Sequence, residues 1–173
     1  MTFSVGAETS GDYEYEVLDD GTVSITKYNG SDSDVTIPSE IDGKKVTNMG
    51  DGSFSESDIE SVVIPDSIDY IDQFVFANSE KLKKVTLPDN LTYIAYGMFQ
   101  SCSSLETIEI PSGVSEIASL AFSFCNSLKS ITIPEGVTYI GWAAFISASS
   151  LEKVILPKTL KKISPEAFRG CKS

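Results

Sequence analysis

Proline returns every 23 residues, at positions 65, 88, 111, 134 and 157, and its surroundings return with it. A fixed period in this range is the mark of a solenoid, in which each coil buries its apolar side chains only by stacking on its neighbours. Six residues before the prolines stand Ile59, Leu82, Leu105, Leu128 and Leu151. Three before are Val62, Val85, Ile108, Ile131 and Val154, and one before are Ile64, Leu87, Ile110, Ile133 and Leu156. The last two sets are two apart and mostly β-branched, so they form one face of a short strand. Proline then removes a ladder donor and stops that strand.

Three residues after the prolines come Ile68, Leu91, Val114, Val137 and Leu160; six after, Ile71, Ile94, Ile117, Ile140 and Ile163. Eleven after are Phe76, Phe99, Phe122, Phe145 and Phe168, each preceded by Val, Met or Ala. An apolar pair a few residues beyond an isoleucine predicts a short helical or 3-10 turn on the return side. Stacking sets equal offsets about 4.8 Å apart. The expected fold is therefore α/β but β-rich: stacked coils, a parallel sheet on one face, and ladders of Phe and Ile that are core throughout.

Residues 1–11 are small and polar and read as a disordered segment. Within them Ser4-Val5-Gly6-Ala7 has the texture of a signal-peptidase site, and the expectation is a signal peptide removed ahead of it. Residues 12–34 read as a β-hairpin cap: Tyr13–Leu18 and Thr22–Tyr28 alternate around Asp19-Asp20-Gly21. Such a cap covers the apolar face and sheet edge of the first coil. Residues 35–173 are the solenoid. Its first coil, opening at Val35-Thr36-Ile37-Pro38, carries an inserted turn at Ile41–Val46, after which Val46, Met49 and Phe54 resume the ladders five residues late. The closing run Arg169–Ser173 matches the approach to another strand, so the parent chain is expected to continue.

Signs of chemistry are few. The chain has no histidine, which removes the commonest general base and metal ligand. No phosphate loop or nucleophile elbow occurs, and neither Asp32-Ser33-Asp34 nor Asp19-Asp20-Gly21 continues as a calcium loop must. Asn29-Gly30-Ser31 and Asn90-Leu91-Thr92 are glycosylation sequons, without meaning in the bacterial chain this is taken to be. Cys102, Cys125 and Cys171 share one offset, fourteen after a proline, and read as small buried side chains with free thiols. No enzyme, cofactor or metal site is expected. No run of apolar residues is long enough to insert in a membrane. The net charge of −12 argues against nucleic acid. It is uneven: residues 1–60 hold 14 acidic side chains against three lysines, and residues 151–173 hold two against six basic ones.

The surface remains. Aromatic residues on outward offsets, Tyr70, Tyr93, Tyr96, Tyr139 and Trp142, are the candidate partner-binding set, because such side chains anchor interfaces. They could instead cover coil edges or stack on one another. The rival is the outward strand face, Val63, Thr86, Glu109, Thr132 and Ile155, which suits the concave binding habit of solenoids.

The unit Leu105-x-x-Ile108-x-Ile110-Pro111-x-x-Val114-x-x-Ile117-x-x-x-Ala121-Phe122-x-x-Cys125 resembles the BspA-type leucine-rich repeat, over roughly residues 35–173. The resemblance implies a right-handed, slightly curved solenoid and a secreted or surface-displayed, mostly bacterial protein that binds host or matrix proteins. It carries over no catalytic residue and no partner. The functional expectation is a non-enzymatic, extracellular, adhesin-like protein-binding module. The alternatives are a structural spacer within a larger surface protein and weak carbohydrate binding through the aromatics. A binder should present a contiguous aromatic or apolar patch of several hundred Å².

Overall fold

The computed structural model describes residues 6–172. It is a solenoid of stacked coils, and each regular coil contributes two short parallel strands rather than one. The first forms where the β-branched pair before the proline predicts it: β4 (Asp34–Thr36), β7 (Ser61–Val63), β9 (Lys84–Thr86), β11 (Thr107–Ile108), β13 (Ser130–Thr132) and β15 (Lys153–Ile155). The second centres on the invariant isoleucine: β8 (Tyr70–Ile71), β10 (Tyr93–Ile94), β12 (Glu116–Ile117), β14 (Tyr139–Ile140) and β16 (Lys162–Ile163). Registers pair like offsets, Ile94 with Ile117 with Ile140 with Ile163. The single expected sheet is thus two. A bend after each proline, closed by bonds such as Ile68 N–H to Pro65 O at 3.0 Å, turns the chain from one to the other.

The return side holds no helix among the described residues. Two positions per coil prevent one, nine and thirteen after the proline. Phe74, Leu120, Ala143 and Glu166 at the first, and Asn78, Ser101, Phe124 and Ser147 at the second, all have φ between 53° and 63°. A left-handed residue every four breaks the helical succession. The N–H groups then point along the solenoid axis: Phe74, Phe76 and Asn78 donate to Tyr96, Met98 and Gln100 of the next coil at 3.0, 3.0 and 2.8 Å. The same three bonds recur at every junction from Gly52–Glu56 to Ala143–Ser147. The predicted helical turns are therefore a third intercoil ladder made of hydrogen-bonded turns.

Inside lies one continuous core. Phe76, Phe99, Phe122 and Phe145 are fully buried, and the rings from Phe76 to Phe168 stack near-parallel at 5.1–5.6 Å. Phe54 joins the ladder at 5.7 Å from Phe76, which fits the five-residue displacement of the first coil. The displacement itself is a small antiparallel hairpin of β5 (Glu40–Ile41) and β6 (Lys44–Met49), turned through Asp42 and Gly43 at positive φ. Cys102 and Cys125 are buried free thiols, and with Cys171 each donates to the phenylalanine carbonyl of the preceding coil (3.1–3.2 Å). Ser79 does the same toward Phe54 O at 2.9 Å, and Ala148 fills the remaining coil without a donor, so this slot selects small size. In the last coil Leu156 and Ile163, expected in the core, are 45% and 43% exposed, because no further coil among the described residues lies against them.

The cap has three strands: β1 (Glu8–Ser10), β2 (Tyr13–Val17) and β3 (Val23–Tyr28), paired antiparallel in sequence order. Residues 8–10 are thus a strand where a disordered segment was expected. The Tyr15 hydroxyl lies 2.8 Å from Glu8 and 2.7 Å from Asp42, and Ser10 donates to Asp42, which ties β1 to the first coil. Half of the signal-peptidase texture, Ser4 and Val5, lies outside the described residues. β3 pairs parallel with β6, and Tyr28 stacks on Phe54 at 4.9 Å. The cap therefore seals the second sheet and the ring ladder, while β4 remains the edge of the first sheet.

Candidate functional site

The rival set lies on the first sheet; of the aromatic set, Tyr70, Tyr93 and Tyr139 lie on the second sheet and Tyr96 and Trp142 on the return turns that follow it, and each sheet has one break. In the second sheet β8 pairs with β6 but not with β10. The Tyr93 hydroxyl lies there instead, donating to Ile71 O at 3.3 Å. Burial, and then the Tyr70 hydroxyl beside it, push the Tyr93 phenol above its ordinary value. In the first sheet β11 pairs with β9 but not with β13. Ile37, Ile64 and Ile133 donate at 2.9 Å to the carbonyl two before the proline of the next coil, whereas Leu87 and Ile110 make no such bond.

The aromatic set falls into groups. Tyr70 is 43% exposed and its ring lies 6.2 Å from that of Tyr93, which is half-buried. Tyr96, exposed, meets Phe74 edge-on at 5.1 Å. Phe74 lies over Gly97, where a Cβ would come within 2.5 Å of its ring, so the glycine makes room for it. Glu116 occupies the rung between Tyr93 and Tyr139. Beyond it Tyr139, half-buried, accepts a hydrogen bond from Ser164 at 2.9 Å and carries the Lys162 ammonium 5.5 Å from its ring centre. Trp142 is 46% exposed. Its coil is drawn in at Gly141, where a Cβ would lie 2.3 Å from Ser119 N, and Ser119 Oγ accepts the Trp142 N–H at 3.1 Å. The structure thus joins Tyr70 with Tyr93 and adds Phe74 to Tyr96, while Tyr139 and Trp142 stand further along.

The rival strand face is exposed at all five positions, with Val63 and Ile155 as its apolar ends. Two grooves lie either side of Glu109, one of about 420 Å³ toward Lys84 and Thr86 and one of about 410 Å³ across the break toward Ser130 and Thr132. Phe74 and the exposed Phe124 lie outside the aromatic set expected from the sequence. Phe124 had a signal: its offset holds Asn, Ser or Gly in the other regular coils.

Against known proteins, the model of the BspA-type leucine-rich repeat region matches residues 47–173, in six copies. The chain belongs to the BspA-type leucine-rich repeat family. Among solved structures it is similar to a leucine-rich cell surface protein of Faecalibacterium prausnitzii, at 36% identity and a TM-score of 0.86. That likeness covers 97% of this chain and 47% of the other. A leucine-rich repeat protein of T. pallidum is 32% identical with a TM-score of 0.81, over 88% of this chain and 72% of that one. One from Bacteroides ovatus is 28% identical with a TM-score of 0.80, over 94% and 48%. No match is found among curated proteins. The chain spans about half the length of the Faecalibacterium and Bacteroides proteins. It is a repeat module of a kind found in bacterial surface proteins.

Proposed function

We propose that this BspA-type repeat segment is an extracellular, adhesin-like module that binds another protein, of host or matrix origin, through the outer face of its second sheet. The observation that carries the reading is the exposure of Tyr70 on that face and of Tyr96 and Trp142 on the return turns that border it. Tyrosine and tryptophan supply rigid contact area at small entropic cost, the composition of binding hot spots. The family and the surface protein among its relatives support the setting. Tyr93 and Tyr139 border this area and are held by the fold, so they serve as its fixed edge.

The test is binding of the purified chain to immobilised extracellular-matrix proteins. The Tyr70→Ala, Trp142→Ala double variant should bind at least about tenfold more weakly with an unchanged melting temperature, since truncating a hot-spot side chain costs about 2 kcal/mol. Unchanged affinity would move the site to the strand face around Glu109, whose two grooves favour it as the second reading. Absence of binding across the panel would support a spacer.

A further inference from the structure

The aromatic face ends, toward the cap, in a groove of about 250 Å³ cut across β3, β6 and β8. Glu16, Ser24, Thr26, Asp51, Tyr70 and Asp72 line it, and no lysine or arginine does. None of the three carboxylates takes part in an ion pair among the described residues. Two are held in place by one residue: Gln73 donates its backbone N–H to Asp72 Oδ1 at 2.8 Å and its side-chain amide to Asp51 Oδ2 at 3.0 Å. Each of those carboxylates keeps an oxygen free of donors among the described residues.

The groove also holds an unanswered hydroxyl. Thr26 Oγ1 is shielded from solvent without a hydrogen-bond partner. Ser24, 4% exposed, lines the groove beside it. Buried polar groups left unpaired cost free energy until something bonds them. Above them the Tyr70 ring is exposed, its hydroxyl 3.4 Å from Asp72.

Spread carboxylates, a free hydroxyl and an open aromatic ring together fit a planar cation with several donors. A metal ion is a poor match, because no three acidic or cysteine side chains converge on one point among the described residues. A guanidinium is a good one: its five N–H groups bond carboxylates in pairs and its plane stacks on tyrosine. The acidic excess of residues 1–60 adds a field that draws such a group in. We propose that the groove receives an arginine side chain presented by the partner protein, at the cap end of the aromatic face. This rests on the reading that a protein binds that face, and it names the chemistry the partner must bring.

The probe is a capped Gly-Arg-Gly-Arg-Gly peptide titrated into the ¹⁵N-labelled full chain, with the citrulline peptide as its uncharged isostere. The arginine peptide should shift the amides of residues 48–51 and 70–73 saturably, and the citrulline peptide should leave them in place. Asp51→Asn with Asp72→Asn should weaken the arginine peptide at least tenfold. Glu106→Gln with Glu135→Gln, the same loss of charge elsewhere, should change it less than twofold. Shifts scattered over the acidic surface, equal weakening in both variants, or equal binding of citrulline would each overturn the proposal. If the Tyr70→Ala, Trp142→Ala variant loses matrix binding while the arginine peptide ignores the groove, this inference alone fails. If the groove takes the peptide and matrix binding ignores the aromatics, the proposed binding face alone fails.

Discussion

At the scale of the residue, one position decides one thing. Phe122 sits fully buried between two parallel rings at 5.3 and 5.1 Å, so truncation removes both stacks and leaves a cavity. Phe122→Ala should destabilise by about 3–5 kcal/mol in denaturant melts, and a loss under about 1 kcal/mol would contradict its placement. Gly141 tests close approach rather than packing. With a Cβ 2.3 Å from a neighbouring backbone nitrogen, Gly141→Ala forces the coils apart. It should cost about 1–3 kcal/mol as overpacking does, and should quench or shift Trp142 fluorescence by moving its anchor on Ser119. The thiols differ by burial: a reagent should modify Cys171 first in the native protein and count three only after denaturation. Burial raises the pKa of Cys102 and Cys125, favouring their neutral form when folded. The sign follows: their contribution is complete below the ordinary thiol value and is lost as pH climbs above it, because only the unfolded chain releases those protons.

At the scale of the element, the inward ladders were legible because each is repeated five times in one type of side chain. The return turns were not. The left-handed positions hold Phe74, Leu120, Ala143 and Glu166 as well as Gly97, so no glycine signature marks them. Each such residue costs on the order of 1 kcal/mol or more, offset by the next coil's hydrogen bonds, which a single repeat does not reveal. The candidate site was half-legible for a similar reason. Outward offsets identified the tyrosines, but only the break between β8 and β10 shows that Tyr93 bonds a backbone carbonyl. Tyr93→Ala should therefore lower the melting temperature, whereas Tyr70→Ala should not. The cap is the element with the largest expected effect. Deleting residues 1–30 removes Tyr15, Val23, Ile25 and the ring on Phe54. The remainder should aggregate or oligomerise on size-exclusion chromatography, and a stable monomer would show that the first coil seals itself.

At the scale of the whole molecule, contacts run from coil to neighbouring coil, so stability should vary along the axis. The cap end is closed by Tyr28 and Tyr15, while Val154, Leu160, Ile163 and Phe168 are partly exposed at the other. Hydrogen exchange should therefore be fastest in residues 151–172 and slowest between Ile59 and Phe145. The first coil shows what the architecture tolerates. It takes five extra residues between Pro38 and Val46 and still returns every later side chain to its rung, with Val46 N–H bonding Ser39 O at 2.9 Å in place of the usual proline carbonyl. The return side has no such freedom, since every second N–H there is committed to a neighbour. Foreign loops grafted after Pro88, Pro111 or Pro134 should thus be carried as side-branches on an intact rod, which makes that corner the place where a display scaffold built from this chain would hold its cargo.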